Sequence, residues 1–185
     1  SNETKNFIYD LLKVNVPIVA DPTILYDYNE FLLEKKQQYI LTYILNDDIK
    51  GGNGNAIRMI KEKYKNIPVY SIVISDGIPH LCKWAEKQLF DVSPDKWVNL
   101  IYNCTFLYTD SFHGSIFAMK FHKPFIAYYN NPTAGMRFID LKNTFNLTNI
   151  AKSLNDVKQI LANPFNDYKS NMKLIDYSLE YISNF

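Results

Sequence analysis

Apolar residues in this chain fall into two alternating kinds of block. Residues 39–45, 68–75, 104–108 and 125–129 are short continuous runs rich in β-branched and aromatic side chains. Runs of that length, bounded by Gly, Pro, Asn or Asp, predict buried strands. Between and after them, apolar residues return at intervals of three and four, the period of a one-sided helix. Ile57, Ile60 and Tyr64 predict a helix over about 55–65, and Trp97, Leu100 and Ile101 predict one ending at Asn103. Ser93 and Pro94 suit the start of the latter, as N-cap and first helical residue. Residues 115–121 are apolar nearly all round, which predicts a buried helix whose single lysine, Lys120, reaches outward along its stem. Phe138, Leu141 and Phe145 share one face of a later helix, and two more helices are expected over about 153–162 and 166–183.

Strands that alternate with helices predict an α/β fold with a parallel sheet covered on both faces. The flanks are less regular. Residues 4–13 predict a helix, and 16–20 a strand that Asp21-Pro22-Thr23 stops. Residues 29–38 predict a short helix capped by Asp27 or Asn29. The weakest pattern is 76–93, where Asp76-Gly77 and Ile78-Pro79 break structure and Trp84, Leu89 and Phe90 suggest a short edge helix. That region is either a lid or acceptor loop, or plain surface packing.

At 185 residues the chain suits one domain with room for a small appendage, and its 47% hydrophobic and 21% charged residues are ordinary for a globular protein. The 14 tyrosines and 12 phenylalanines predict an aromatic core. A net charge of +1 gives no general attraction for nucleic acid or for an anionic membrane surface, so any anion site has to be local. No transmembrane run or signal peptide is visible. Cys82 and Cys104 form no CxxC pair, and His80 beside Cys82 is too sparse for zinc, so no metal site is expected. Cys104, inside a predicted strand, reads as a small apolar core residue, compatible with a reducing compartment.

Two turns are candidates for chemistry. Between the strand 104–108 and the helix from Ser115 stand Thr109, Asp110, Ser111, Phe112, His113 and Gly114. A turn from a parallel strand into a helix lies at the carboxyl edge of the sheet, where open α/β folds bind ligands. The helix start offers free N–H groups and a positive dipole end, His113 stands beside them, and Gly114 allows close backbone approach. Asp110 or Ser111 is either the N-cap or a group that holds the histidine or a ligand. The second turn, Gly51-Gly52-Asn53-Gly54-Asn55, is either a phosphate cradle or a flexible joint. It matches neither GxGxxG nor a P-loop. Asp47 and Asp48 before it are adjacent carboxylates that more often solvate a loop than bind a metal.

Thr109-Asp110-Ser111-Phe112-His113-Gly114, with the apolar helix behind it and then Phe121-His122-Lys123-Pro124-Phe125-Ile126, resembles the polysaccharide pyruvyl transferase family. Asp21-Pro22-Thr23 before Ile24-Leu25 resembles its DPT segment, and Val92-Ser93-Pro94-Asp95-Lys96-Trp97-Val98 its SPEEW helix start. Arg137-Phe138 resembles its downstream arginine. The resemblance spans about residues 7 to 165. It implies the second, Rossmann-like three-layer domain of a glycosyltransferase-B-like fold, with residues 1–23 a connecting helix and strand from a preceding domain and 24–185 the carboxy-terminal domain. Family members are usually longer, so it also implies a missing amino-terminal domain.

The implied activity moves enolpyruvyl from phosphoenolpyruvate to a sugar or lipid-linked glycan, leaving a pyruvate ketal in a surface polysaccharide. The implied catalytic residue is His113, as general acid, with Asp110, Ser111, Gly114, Ser115 and Arg137 binding substrate. No cofactor is expected, and the implied location is cytoplasmic, including the inner face of the membrane. Some members carry a basic residue about twenty positions after the signature histidine; here Pro132-Thr133-Ala134 stand there, which leaves Arg137 or the missing domain to supply that charge. Two other functions fit the same half-fold: a nucleotide-sugar glycosyltransferase, which would need a ribose-binding carboxylate near the signature turn, and a non-catalytic binding module. Without its partner domain the chain is expected to be inactive.

Overall fold

The computed structural model of the protein describes residues 2–34, 36–45, 48–65, 67–74, 81–163, 165 and 173–184, with backbone alone at 2, 3 and 132–134. Among them, β1 (Ile40–Tyr43), β2 (Val69–Ile72), β3 (Lys87–Leu89), β4 (Phe106–Thr109), β5 (Phe125–Tyr128) and β6 (Ile150–Ala151) make one sheet. The order is β3-β2-β1-β4-β5-β6, and every pairing is parallel. The chain therefore builds outward from β1 to β3, returns to place β4 on the other side of β1, and builds outward again. That reversal is the Rossmann-like arrangement, and it opens a crevice at the carboxyl ends of β1 and β4. Register fixes the crevice walls: Tyr43 lies opposite Thr109 across the two strands.

The helices are α1 (Asn2–Leu12), α2 (Pro22–Leu25), α3 (Asn53–Lys63), α4 (Pro94–Asn103), α5 (Phe112–Lys120), α6 (Pro132–Phe145), α7 (Leu154–Ala162) and α8 (Lys173–Ser183). Side chains alternate across a strand, and continuous apolar runs therefore feed both faces. Ile40, Val69, Phe106, Tyr108, Ile126 and Tyr128 meet α3 and α7 on one face. Leu41, Ile72, Leu107, Phe125 and Ala127 meet α4, α5 and α6 on the other. The aromatic core is real: Tyr108 and Tyr128 stack with centroids 4.9 Å apart, and Phe106 and Phe125 are fully buried. Cys104 is buried among apolar residues, which pushes its thiol up to about 12.

Several sequence expectations are corrected. Residues 16–20 are not a strand; they lie outside the sheet, and the Ala20 N–H donates 2.8 Å to Ser178 Oγ of α8. The helix expected over 29–38 shrinks to a 3₁₀ turn, Asn29–Phe31. Side chains of α4 take up the following backbone instead: Asn99 bonds both the Phe31 carbonyl and the Leu33 N–H, and Asn103 bonds the Leu33 carbonyl. The expected edge helix around Leu89 is the edge strand β3; residues 75–80, with His80 and both structure-breaking pairs, lie outside the described residues, as does Asp47. Ser93 holds the N-cap position of α4 without a side-chain capping bond. The later helix begins at Pro132, so Pro132, Thr133 and Ala134 form the first turn of α6. Ser153 and Asp156 form a capping box at the start of α7. Lys120 does not simply reach outward: its Nζ turns onto α2, donating 2.8 Å to the Ile24 carbonyl and lying over the Tyr28 ring, and partial burial lowers its pKa.

Candidate active site

The turn from β4 into α5 is shorter than its composition suggests. Only Asp110 and Ser111 lie between the strand and the helix, so His113, Gly114 and Ser115 belong to the first helical turn. Ser111 is the N-cap, its Oγ accepting from the Gly114 N–H at 3.1 Å. Ser115 Oγ donates 3.0 Å to the Ser111 carbonyl, and Thr109 Oγ1 accepts from the Ser111 N–H at 2.9 Å. With Gly114 and Ser115 amides engaged by Ser111, the Phe112 and His113 N–H groups have no hydrogen-bond partner among the described residues.

His113 is half exposed, and its Nε2 stands 3.9 Å from Asp21 Oδ2. That separation makes a charge pair when the imidazole is protonated and is too long for a hydrogen bond. Asp21 is the N-cap of α2, accepting from the Thr23 N–H at 3.0 Å, and its neighbour Ala20 is tied to α8 through Ser178. Beside His113, Phe112 is wedged between two α6 residues: its ring lies 6.3 Å from that of Phe138, and the Arg137 guanidinium carbon sits 4.0 Å from its centroid. Asp21, Phe112 and Arg137 together line a cleft of about 640 Å³. That cleft gathers two carboxylates, Asp21 and Asp140, and the Arg137 guanidinium beside Phe112 of α5; His113 is not part of its lining and meets it through Asp21.

The opposite lip of the crevice is the turn from β1 into α3. Its centre is Asn53, buried at the first helical position. Asn53 Oδ1 accepts from the Tyr108 hydroxyl at 2.7 Å, and Asn53 Nδ2 donates to the Tyr128 hydroxyl at 2.8 Å. Its own N–H donates 2.8 Å to Asp48 Oδ1, so Asp48 serves as a cap. Burial first, then the nearby carboxylates Asp48 and Asp110, hold both phenols far above their ordinary pKa, which keeps them neutral. Gly51, with φ of 103°, takes a conformation that side chains disfavour, and a Cβ there would meet the Leu154 side chain at 2.5 Å. The first residue of α7 presses into this turn, with the Leu154 N–H on the Lys50 carbonyl at 3.2 Å. The turn is a pinned joint rather than a loose loop.

Of the residues singled out from sequence, His113, Arg137 and the α5 start come together, and Asp110 stands at the same edge. Ser111 and Ser115 are buried and spend their hydroxyls within the helix start. Gly114 is buried too: a Cβ there would meet Thr109 Oγ1 at 3.1 Å, so its glycine serves helix-to-strand contact and not a bare backbone facing solvent. Asn53, Phe112 and the pairing of Asp21 with His113 were not anticipated. The Gly-Gly dipeptide ahead of Asn53 and the DPT segment were the available signals, but neither names its partner.

The family model described as polysaccharide pyruvyl transferase matches residues 2–132, which include Asp21, Asp110 and His113 but not Arg137. No curated protein matches the chain. Among solved structures, the chain is similar to the glycosyltransferase SnogD from Streptomyces nogalater, with 11% identity and a TM-score of 0.39. The similarity covers 88% of this chain and 49% of that one, so the chain spans about half the length of that neighbour.

Proposed function

The chain belongs to the polysaccharide pyruvyl transferase family, and on that premise we propose that it carries one wall of a site that moves enolpyruvyl from phosphoenolpyruvate onto two hydroxyls of a sugar or lipid-linked glycan. The observation that carries the reading is the position of His113: half exposed on the first turn of α5, with Asp21 on one side and the Phe112–Arg137 pair on the other. The donor's phosphate and carboxylate need cations and N–H donors, and the Arg137 guanidinium and the α5 start are of that chemistry.

In the proposed reaction, protonated His113 gives its proton to the methylene carbon of phosphoenolpyruvate. The cation left at the adjacent carbon is stabilised by its oxygen and is attacked by one sugar hydroxyl, whose proton returns to His113. Phosphate then leaves with the electron pair of its bridging bond. The second hydroxyl closes the ketal, and its proton departs with the phosphate. Asp21 supplies the counter-charge to the imidazolium.

The proposal includes a preceding domain that forms the other wall, with residues 1–23 leading in from it. The α1 side chains Phe7, Leu11 and Leu12 are exposed and available to pack there. Because proximity between two walls supplies a large share of such rates, residues 1–185 alone are expected to form no ketal. No helix among the described residues is long and apolar enough to cross a membrane.

The test is His113→Ala in the complete enzyme, with phosphate release and ketal formation measured against a sugar acceptor. Turnover should fall about a hundredfold or more while the melting temperature holds, as an exposed side chain is dispensable for packing. Retained turnover in that variant would overturn the assignment.

A further inference from the structure

A second cavity begins at the β1–α3 turn and runs along α3, and neither His113 nor Arg137 lines it. Its volume is about 850 Å³. One wall is the start and outer face of α3, with Arg58, Lys61 and, just beyond the helix, Lys65; the other is Lys83 and Trp84. Its charge is lopsided. The lining includes four cations and the carboxylates Asp48 and Glu62. Asp48 already accepts from the Asn53 N–H, and Lys61 is paired with Glu86. Among the described residues, Arg58, Lys65 and Lys83 have no acidic partner, and all three are exposed. Three cations without an acidic partner among the described residues, set against the remaining carboxylate Glu62, leave the lining positive in a chain whose net charge is only +1.

The aromatic wall adds shape. The six-membered ring of Trp84 lies against Gly54, so close that a Cβ there would meet it at 3.2 Å. This holds the indole fixed beside the first turn of α3. Its Nε1 is buried with no hydrogen-bond partner among the described residues. A rigid indole beside free cations suits a ligand with a ring and an anionic group.

We infer that this groove binds a sugar phosphate, with the phosphate held by Arg58, Lys65 and Lys83 and the sugar ring laid against Trp84. The choice of a sugar as the ring rests on the polysaccharide-modifying reading above; the anionic character rests on the groove alone.

The chain has only two tryptophans, Trp84 and Trp97, and each gives its own indole N–H resonance. Titration with glucose 1-phosphate, followed by NMR, should shift the Trp84 signal saturably and leave that of Trp97 in place. Glucose should cause no shift, and inorganic phosphate should bind about tenfold more weakly. Joint substitution Arg58→Ala and Lys83→Ala, at exposed positions, should weaken glucose 1-phosphate binding about tenfold or more. A silent Trp84, equal binding of inorganic phosphate, or indifference to the double substitution would overturn the inference. So would loss of the titration in His113→Ala, which would put the ligand in the other cleft. Failure of pyruvyl transfer would leave this titration standing, so the two readings can fall separately.

Discussion

Asp110 Oδ1 accepts a 2.6 Å hydrogen bond from the backbone N–H of Leu45. Asp110 follows β4 and Leu45 follows β1, so this one side chain spans the mouth of the crevice. Just below it, Thr109 Oγ1 donates to the Tyr43 carbonyl. Two polar residues of the signature therefore hold together the two strands whose separation creates the site.

Asp110→Ala should for that reason cost stability, on the order of 1.5–3 kcal/mol for a charge-assisted bond to a partly buried N–H. Asp110→Asn, which keeps an accepting oxygen, should cost less. Urea denaturation of the two variants checks this. Unchanged stability with lost phosphoenolpyruvate affinity would instead make Asp110 a ligand-binding group.

Asn53→Ala removes the partner of two buried phenols at once. Each stranded hydroxyl carries a desolvation penalty, so the expected loss is roughly 2–4 kcal/mol. The single changes Tyr108→Phe and Tyr128→Phe should each cost less. Because the three groups form one network, their effects should not add, and a double-mutant cycle of Asn53 with Tyr108 should give a clear coupling energy.

Arg137→Ala should weaken binding of phosphoenolpyruvate or inorganic phosphate at the α5 start by about 10- to 150-fold, the range of one charge-assisted contact. Arg137→Lys should recover only part of it, because the planar guanidinium stacks on Phe112 and an ammonium does not match that geometry. Calorimetric titration of both variants is the measurement. An unchanged affinity in Arg137→Ala would remove the residue from the site.

Stability should fall on the alkaline side. Burial pushes the Cys104 thiol up to about 12 from an ordinary 9.0, and the Tyr64 phenol up to about 12 from 10.0. The folded chain thus holds these protons more tightly than the unfolded chain. Their stabilising contribution is complete below about pH 9 and is lost as pH rises through the folded values. The melting temperature should decline steadily between pH 9 and 12. At pH 8 Cys104 should be unreactive to a thiol reagent until the chain unfolds. A flat profile, or rapid labelling of native Cys104, would contradict the burial described.

What could be read from the sequence divides along a physical line. The central strands were legible because both of their faces are apolar, and α3, α4 and α5 because each carries a one-sided or wholly buried pattern. The edge strands β3 and β6 were not: three and two residues long, they have too few positions to show a period. Residues 16–20 have strand composition, but a strand exists only where a neighbour accepts it, and there Ser178 accepts the chain instead. The site divides the same way. His113 and the helix start are local in the chain and were found. Asn53 meets residues 55 and 75 positions away, a relation that no local pattern expresses.

The contact between Gly51 and Leu154 has a genetic reading. The turn after β1 sits at the centre of the sheet, while α7 follows its outermost strand, yet the Leu154 side chain fills the space that any side chain at position 51 would require. Selection for revertants of a damaging Gly51→Ala change should then return to position 154, where a smaller residue makes room. Such suppressors should be partial, since trimming Leu154 relieves the collision but leaves alanine in a backbone conformation with φ near 103°. Two positions a hundred residues apart would thus be inherited as a single allowed pair.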